Sequence, residues 1–179
     1  MTDKEIVEGC IREDRKCQKF LWEKYSRKLM TLCLRYCQNQ EEAEDALMEA
    51  YVKIYDHMKT FRYQSSLETW MRRICVNISI NKIRARKFNW QDISENEYQI
   101  GYDDHAFDQA NVDQIMLLIG KLPDGYRTIF NMFAVEGYSH KEIAEALGID
   151  EGTSRSQLAK ARKALQSMLN LSNPEIHGK

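Results

Sequence analysis

Towards the C-terminus Thr153, Ser156, Lys160 and Lys163 fall on one side at helical spacing, with Arg155 and Arg162 at its margin. Hydroxyls can bond base edges, and long cations can reach bases or phosphates, so a helix with this outer face suits the major groove of a duplex. A second group lies between Phe61 and Lys87. Here Arg62, Arg72, Arg73, Lys82, Arg84, Arg86 and Lys87 stand against the single acid Glu68, and the aromatic Phe61 and Tyr63 lead into them. Cations for a backbone, with rings and amides for unstacked bases, are what gripping a single strand requires. A third group is acidic. Asp45, Glu49, Val52 and Asp56 follow one another at i, i+4, i+7 and i+11. Three acids around a valine suit a basic, partly apolar partner surface, although a solvated helix face has the same appearance in isolation.

Other chemistry finds no support. The histidines His57, His105, His140 and His177 are scattered, and no HExxH, phosphate-cradling glycine loop or Cys-His arrangement is legible, so an enzyme has no site and no cofactor is expected. Cys10, Cys17, Cys33, Cys37 and Cys75 are odd in number and lack a CxxC pair. They read as reduced, buried thiols of a cytosolic protein, and the Cys33 to Cys37 spacing has no nearby histidine to complete a metal set. Asp103-Asp104-His105 reads as solvated linker rather than metal site. No signal-peptide-like run or membrane-length apolar stretch is present, so a cytoplasmic protein with no membrane insertion is expected.

The elements that must position these groups are helical. The 179 residues include only two prolines and eight glycines, and apolar residues recur at helical spacing, so the fold should be all-α. Thr2 and Glu5 form a capping box for a helix to about Cys10. A long helix from near Asp14 to Tyr36 should bury Leu21, Tyr25, Leu29, Leu32 and Tyr36. Asn39 and Glu42 cap the next, about Glu41 to Lys59, with Ala43, Leu47, Ala50, Ile54 and Met58 inward and the acidic stripe outward. After a break at Phe61 to Ser66, Ser65 with Glu68 should cap a helix from Leu67 to Arg86. Its inward residues are Leu67, Trp70, Met71, Ile74 and Ile78, with Arg72, Arg73 and Lys87 roughly opposite.

From Phe88 to about Asp108 periodicity is lost and acids accumulate, which marks a linker. Helicity resumes near Asn111 with Ile115, Leu118, Ile119 and Leu122, and Pro123 suits the first turn of a helix through Tyr126, Ile129, Phe130 and Phe133. Ser139 and Glu142 then form a second capping box for a short helix ending at Gly148. The following helix buries Ser154, Leu158, Ala161 and Leu165. This is a helix-turn-helix, though a plain amphipathic pair would share the pattern. The division expected is a helical domain over 1–88, an acidic linker over 89–110, a second helical domain over 111–172 and a polar tail over 173–179.

An ordered set of motifs now stands out across nearly the whole chain. It comprises Ala43-Glu44-Asp45-Ala46 with Glu49 and Ala50, Phe61-Arg62, Ser65 through Ile74, and Asn77. It continues with Leu122-Pro123, Tyr126-Arg127, Glu136 through Ser139, Glu142-Ile143-Ala144, Leu147-Gly148-Ile149 and Gly152-Thr153. In this set the chain resembles the extracytoplasmic-function (ECF) sigma factors, small two-domain members of the sigma-70 class of bacterial RNA polymerase initiation factors. The resemblance implies that domain 2 binds core RNA polymerase through the helix bearing Asp45, Glu49, Val52 and Asp56, which docks on the clamp helices of the largest subunit. It also implies a contact of the factor with the polymerase flap.

The same resemblance places a flipped base of the melted −10 element in a pocket to which Phe61 and Asn77 correspond, with Arg62, Tyr63, Arg72, Arg73, Arg84 and Lys87 around it. Domain 4 would read the −35 duplex through Thr153, Arg155, Ser156, Gln157 and Lys160, with Arg162 and Lys163 on the backbone. An anti-sigma factor bound to the membrane is a further implied partner. Tyr63 stands where many members have glycine, Gln64 where an acid is frequent, Ser154 on a usually apolar position, and Gln157 where arginine is frequent. A stand-alone helix-turn-helix regulator with an N-terminal sensing or dimerising bundle is the rival reading; it has no need of the Asp45 to Asn77 features.

Overall fold

The computed structural model describes residues 1–37, 39–85 and 112–172. The expected linker, its Asp103-Asp104-His105, the tail from 173 and Lys87 lie outside the described residues. The chain divides into two compact units, Met1–Arg86 and Lys87–Lys179. Among the described residues every regular element is helical.

In the N-terminal unit α1 (Asp3–Ile11), α2 (Arg15–Tyr36), α3 (Gln40–His57) and α4 (Leu67–Ala85) form a bundle in which α2 packs on the other three and α3 also packs on α4. The Thr2–Glu5 capping box starts α1. Lys24 and Tyr25 of α2 both donate to the Asp3 carboxylate, at 2.7 and 2.8 Å, which ties the first turn of α1 to α2. The turn between them is tight because a Cβ on Gly9 would run into the Cys17 sulfur. Asp14 caps α2, and Asn39 caps α3 by accepting from the Glu42 amide at 2.9 Å. All the residues expected on the inner stripes of α2 and α3 are buried, from Leu21 to Tyr36 and from Ala43 to Met58.

Two local expectations for α4 are corrected. Its cap is Ser66, whose hydroxyl accepts from the Thr69 amide at 3.1 Å, and not Ser65. Glu68 is therefore not used in a box; it accepts from Lys28 of α2 at 2.8 Å. Trp70 and Ile74 are half-buried rather than in the core, because α4 turns a narrow exposed arc to the outside at their edge. The cysteines are all free and buried.

The C-terminal unit holds α5 (Val112–Gly120), α6 (Asp124–Phe130), α7 (His140–Leu147) and α8 (Glu151–Ser172), with a π-helical turn over Asn131–Val135. Long α8 packs on α5, α6 and α7. Pro123 stands just before α6 as its N-cap residue. Arg127 staples the α5–α6 corner, donating to the Gly120 and Leu122 carbonyls and pairing with Asp124 at 2.5 Å. Gly148 closes α7 in the left-handed region, at φ +69°, where a side chain would be strained. Among the described residues no helix is long and apolar enough to cross a membrane.

Candidate nucleic-acid interface

In the N-terminal unit α3 ends in a 3₁₀ turn, Met58–Thr60, and the chain then bends through Phe61 to Ser66 into α4. The buried surface of α4 spreads around most of the helix, including Met71, Cys75, Val76, Ile78, Ser79, Ile80 and Ile83. What remains outside is one stripe. Trp70, Arg73, Asn77 and Arg84 succeed each other by three, four and seven residues, and the last three are exposed. Arg72 is not on this stripe. It lies about 100° round the helix from Arg73 and is half-buried, whereas Arg73 is exposed.

Phe61, which the resemblance places in the base pocket as a stacking or enclosing surface, is only 7% exposed, and stacking on a base would need an open face. Its ring lies 4.8 Å from that of Tyr63 and 5.2 Å from that of Trp70, both tilted. The loop turns it inward because an aromatic ring gains more from burial between two others than from water. Tyr63, in contrast, is 52% exposed and adopts φ +57°. Arg62 and Gln64 on either side of it are exposed as well.

On α3 Asp45, Glu49, Val52 and Asp56 are all exposed, and Met48 beside them widens the apolar part of that face. Glu49 approaches Lys82 of α4 at 3.9 Å. A cleft between α2 and α3, lined by Trp22, Met30, Leu47 and Met48 among others, borders the same surface.

The helix-turn-helix of the C-terminal unit is built as its sequence indicates. The Glu142 amide donates to the Ser139 hydroxyl at 3.3 Å, and the Ser139 amide to the Glu142 carboxylate at 2.8 Å. Ser154, Leu158, Ala161 and Leu165 are buried against the rest of the unit. Ser154 is polar and fully buried, and its partner is His140 at the start of α7, with Nδ1 and Oγ 2.9 Å apart. The imidazole also stacks on Phe133 at 4.6 Å. Burial first, and then the nearby Arg155 and Arg162, hold the His140 pKa below the ordinary imidazole value, with Glu151 opposing.

On the outer side of α8, Arg155, Ser156, Lys160, Arg162 and Lys163 are exposed and Thr153 is half-buried. Arg155 pairs with Glu151 at 2.7 Å, Ser156 donates back to the Thr153 carbonyl at 3.0 Å, and the Arg162 guanidinium lies 5.8 Å from the Phe133 ring centroid. Gln157 breaks from the set. It is 6% exposed, because three residues after Ser154 and four before Ala161 it shares the inner arc of the helix. Its side chain does not face the groove-side surface, contrary to the role carried over from the resemblance.

Sequence reasoning missed the His140–Ser154–Phe133 contact and the inward turn of Phe61. The glycine common at the position of Tyr63 was the one available signal for a left-handed backbone there.

Comparison with known proteins now adds to this geometry. The model for sigma-70 region 2 matches residues 21–88, and that for sigma-70 region 4 matches residues 113–165. The chain is 30% identical to the RNA polymerase sigma-H factor of Pseudomonas aeruginosa, covering 93% of each chain. To the ECF RNA polymerase sigma factor SigW of Bacillus subtilis it is 32% identical over 81% of this chain and 84% of that one. Two solved structures share the fold. One is CnrH in complex with the cytosolic domain of CnrY, at TM-score 0.51 and 16% identity over 94% of this chain and 97% of that chain. The other is the sigma factor RpoE of Bartonella quintana with the anti-sigma factor NepR, at TM-score 0.53 and 22% identity over 86% of this chain and 96% of that chain. With both regions in order and the likeness running almost end to end, the chain belongs to the ECF sigma factors of the sigma-70 family, which direct RNA polymerase to promoters and are not enzymes.

Proposed function

We propose that this sigma factor divides promoter reading between its units: the loop after α3 and the exposed stripe of α4 hold the melted −10 strand, and the outer face of α8 enters the −35 major groove. The observation that carries this is the stripe itself. Among the described residues α4 is covered on most sides, and what it leaves outside includes cationic Arg73 and Arg84, amide-bearing Asn77 and Asn81, the small Thr69 and Ala85, and the edge of an aromatic cluster. The cations, amides and ring edge are the groups a single strand needs. On α8 the reading now rests on Thr153, Arg155, Ser156 and Lys160 for bases or flanking phosphates and on Arg162 and Lys163 for the backbone, without Gln157.

The exposed face of α3, with Asp45, Glu49, Val52 and Asp56, is the docking surface for the polymerase clamp helices, and the C-terminal unit meets the flap. Charge there steers encounter and suppresses wrong partners, while Val52 and Met48 supply apolar area. An anti-sigma factor, anchored in the membrane, holds this cytoplasmic factor inactive; the complex of a similarly folded sigma factor with the anti-sigma factor NepR supports the existence of such a partner. In vitro transcription with core polymerase on a fragmented genomic library, with start sites mapped, tests the assignment. Start sites sharing two elements at fixed spacing are expected; no start sites above those of core enzyme alone would refute it. Reversing Asp45 and Glu49 to Lys should weaken co-purification with core polymerase by about tenfold or more while leaving unfolding unchanged, and undiminished co-purification would remove the docking assignment.

A further inference from the structure

We infer that Tyr63, rather than Phe61, provides the ring on which the extruded −10 base stacks, and that Phe61 with Trp70 forms the support that sets the angle of that ring. The inference rests on the assignment of this loop and α4 to the melted strand. A base stacks only on an open aromatic face. Phe61 has none to offer at 7% exposure, wedged between its two neighbours, whereas more than half of Tyr63 is accessible. The Tyr63 ring is nonetheless positioned, because its inner side rests 4.8 Å from Phe61.

The backbone points the same way. Tyr63 sits at φ +57°, a conformation glycine enters freely and a bulky residue enters against steric resistance. Strain of this kind persists where surrounding contacts over-determine it, and it gathers at ligand clamps. Here the overdetermining contact is the aromatic stack, and its product is an exposed phenol ring flanked by exposed Arg62 and Gln64. Asn77 is exposed on the α4 stripe that begins at Trp70, which is half-buried against Phe61. Every base has a π face, so Tyr63 supplies affinity that tolerates sequence, and the Asn77 amide is left to read the base edge.

The test uses holoenzyme made from the full chain and core polymerase. The probe is a non-template −10 oligonucleotide from a mapped promoter, made abasic at each position in turn. With the unaltered chain one position should show a loss of about tenfold on becoming abasic, the scale of one base–aromatic stack. Tyr63→Gly should weaken the intact strand by about the same factor and erase the abasic loss at that position. Tyr63→Phe should stay within about twofold, since the ring remains. The unfolding temperature of the free Tyr63→Gly chain should change little, because relief of the backbone offsets the lost contact with Phe61.

A full abasic loss that survives Tyr63→Gly would overturn the role of Tyr63 while leaving the −10 assignment standing. Equal weakening on intact and abasic strands, with a lower unfolding temperature, would make Tyr63 a structural residue and also overturn it. If no position responds to base removal even with the unaltered chain, the −10 assignment itself fails and Tyr63 falls with it.

Discussion

The loop after α3 and the outer face of α8, the two surfaces proposed to meet nucleic acid, are assembled by different forces. On α8 the functional face is what helical periodicity leaves outside once Ser154, Leu158, Ala161 and Leu165 have been buried. Its cations are neighbours by spacing alone. In the loop the exposed Tyr63 ring is held by contacts between residues with no common helical register, Phe61, Tyr63 and Trp70. One surface follows from local rules and tolerates change residue by residue; the other is cooperative, and disturbing its centre disturbs all of it.

The most severe way to break the comparison is therefore Phe61→Ala. Removing a buried ring at the centre of the stack should destabilise the N-terminal unit by about 3 to 5 kcal/mol and lower open-complex formation, while the C-terminal unit is unaffected. Denaturant unfolding followed by fluorescence, alongside permanganate footprinting of the −10 region, reads both. A loss of footprint with no loss of stability would mean that Phe61 is not the keystone its burial indicates.

How much of this was legible in the sequence follows the same divide. The helices, both capping boxes and the inner stripes obey short-range rules, and Thr2, Asn39, Ser139 and Gly148 act as those rules require. The outer faces of α3 and α8 came with them. Where the reading failed, competition between neighbours decided. Ser65 and Ser66 both satisfy a capping pattern, and Glu68 found Lys28 on another helix instead. Gln157 is a polar residue on a position that packing covers, and polarity alone does not disclose that. Phe61 turned inward because its partners are set by tertiary contact.

Gln157 offers a sharper, milder probe. Buried on α8, it should contribute about 1 kcal/mol to the C-terminal unit through packing and its amide, so Gln157→Ala lowers the unfolding midpoint slightly. The −35 preference should not change, in contrast to Arg155→Ala or Lys160→Ala. A base-by-base substitution series of the −35 duplex decides, and an altered preference at a single base pair would return Gln157 to the reading surface.

The smallest effect expected is on pH, and it concerns the His140–Ser154 contact between α7 and α8. His140 has a pKa below its ordinary value of 6.5 in the folded unit, so the unfolded chain takes up the proton first as pH falls. Its contribution is fully present above pH 6.5 and is lost as pH drops from there towards the lowered value, where the folded state must also accept a proton beside Arg155 and Arg162. The C-terminal unit should thus lose stability as pH falls below about 6.5, before most carboxylates titrate. His140→Gln removes the titration and keeps a group able to meet Ser154, so it should flatten the slope. Added salt should flatten it only in part, since it screens the exposed arginines but leaves the desolvation of the ring untouched. An unchanged slope in His140→Gln would assign the pH dependence to another group and leave the His140–Ser154 pair with a packing role alone.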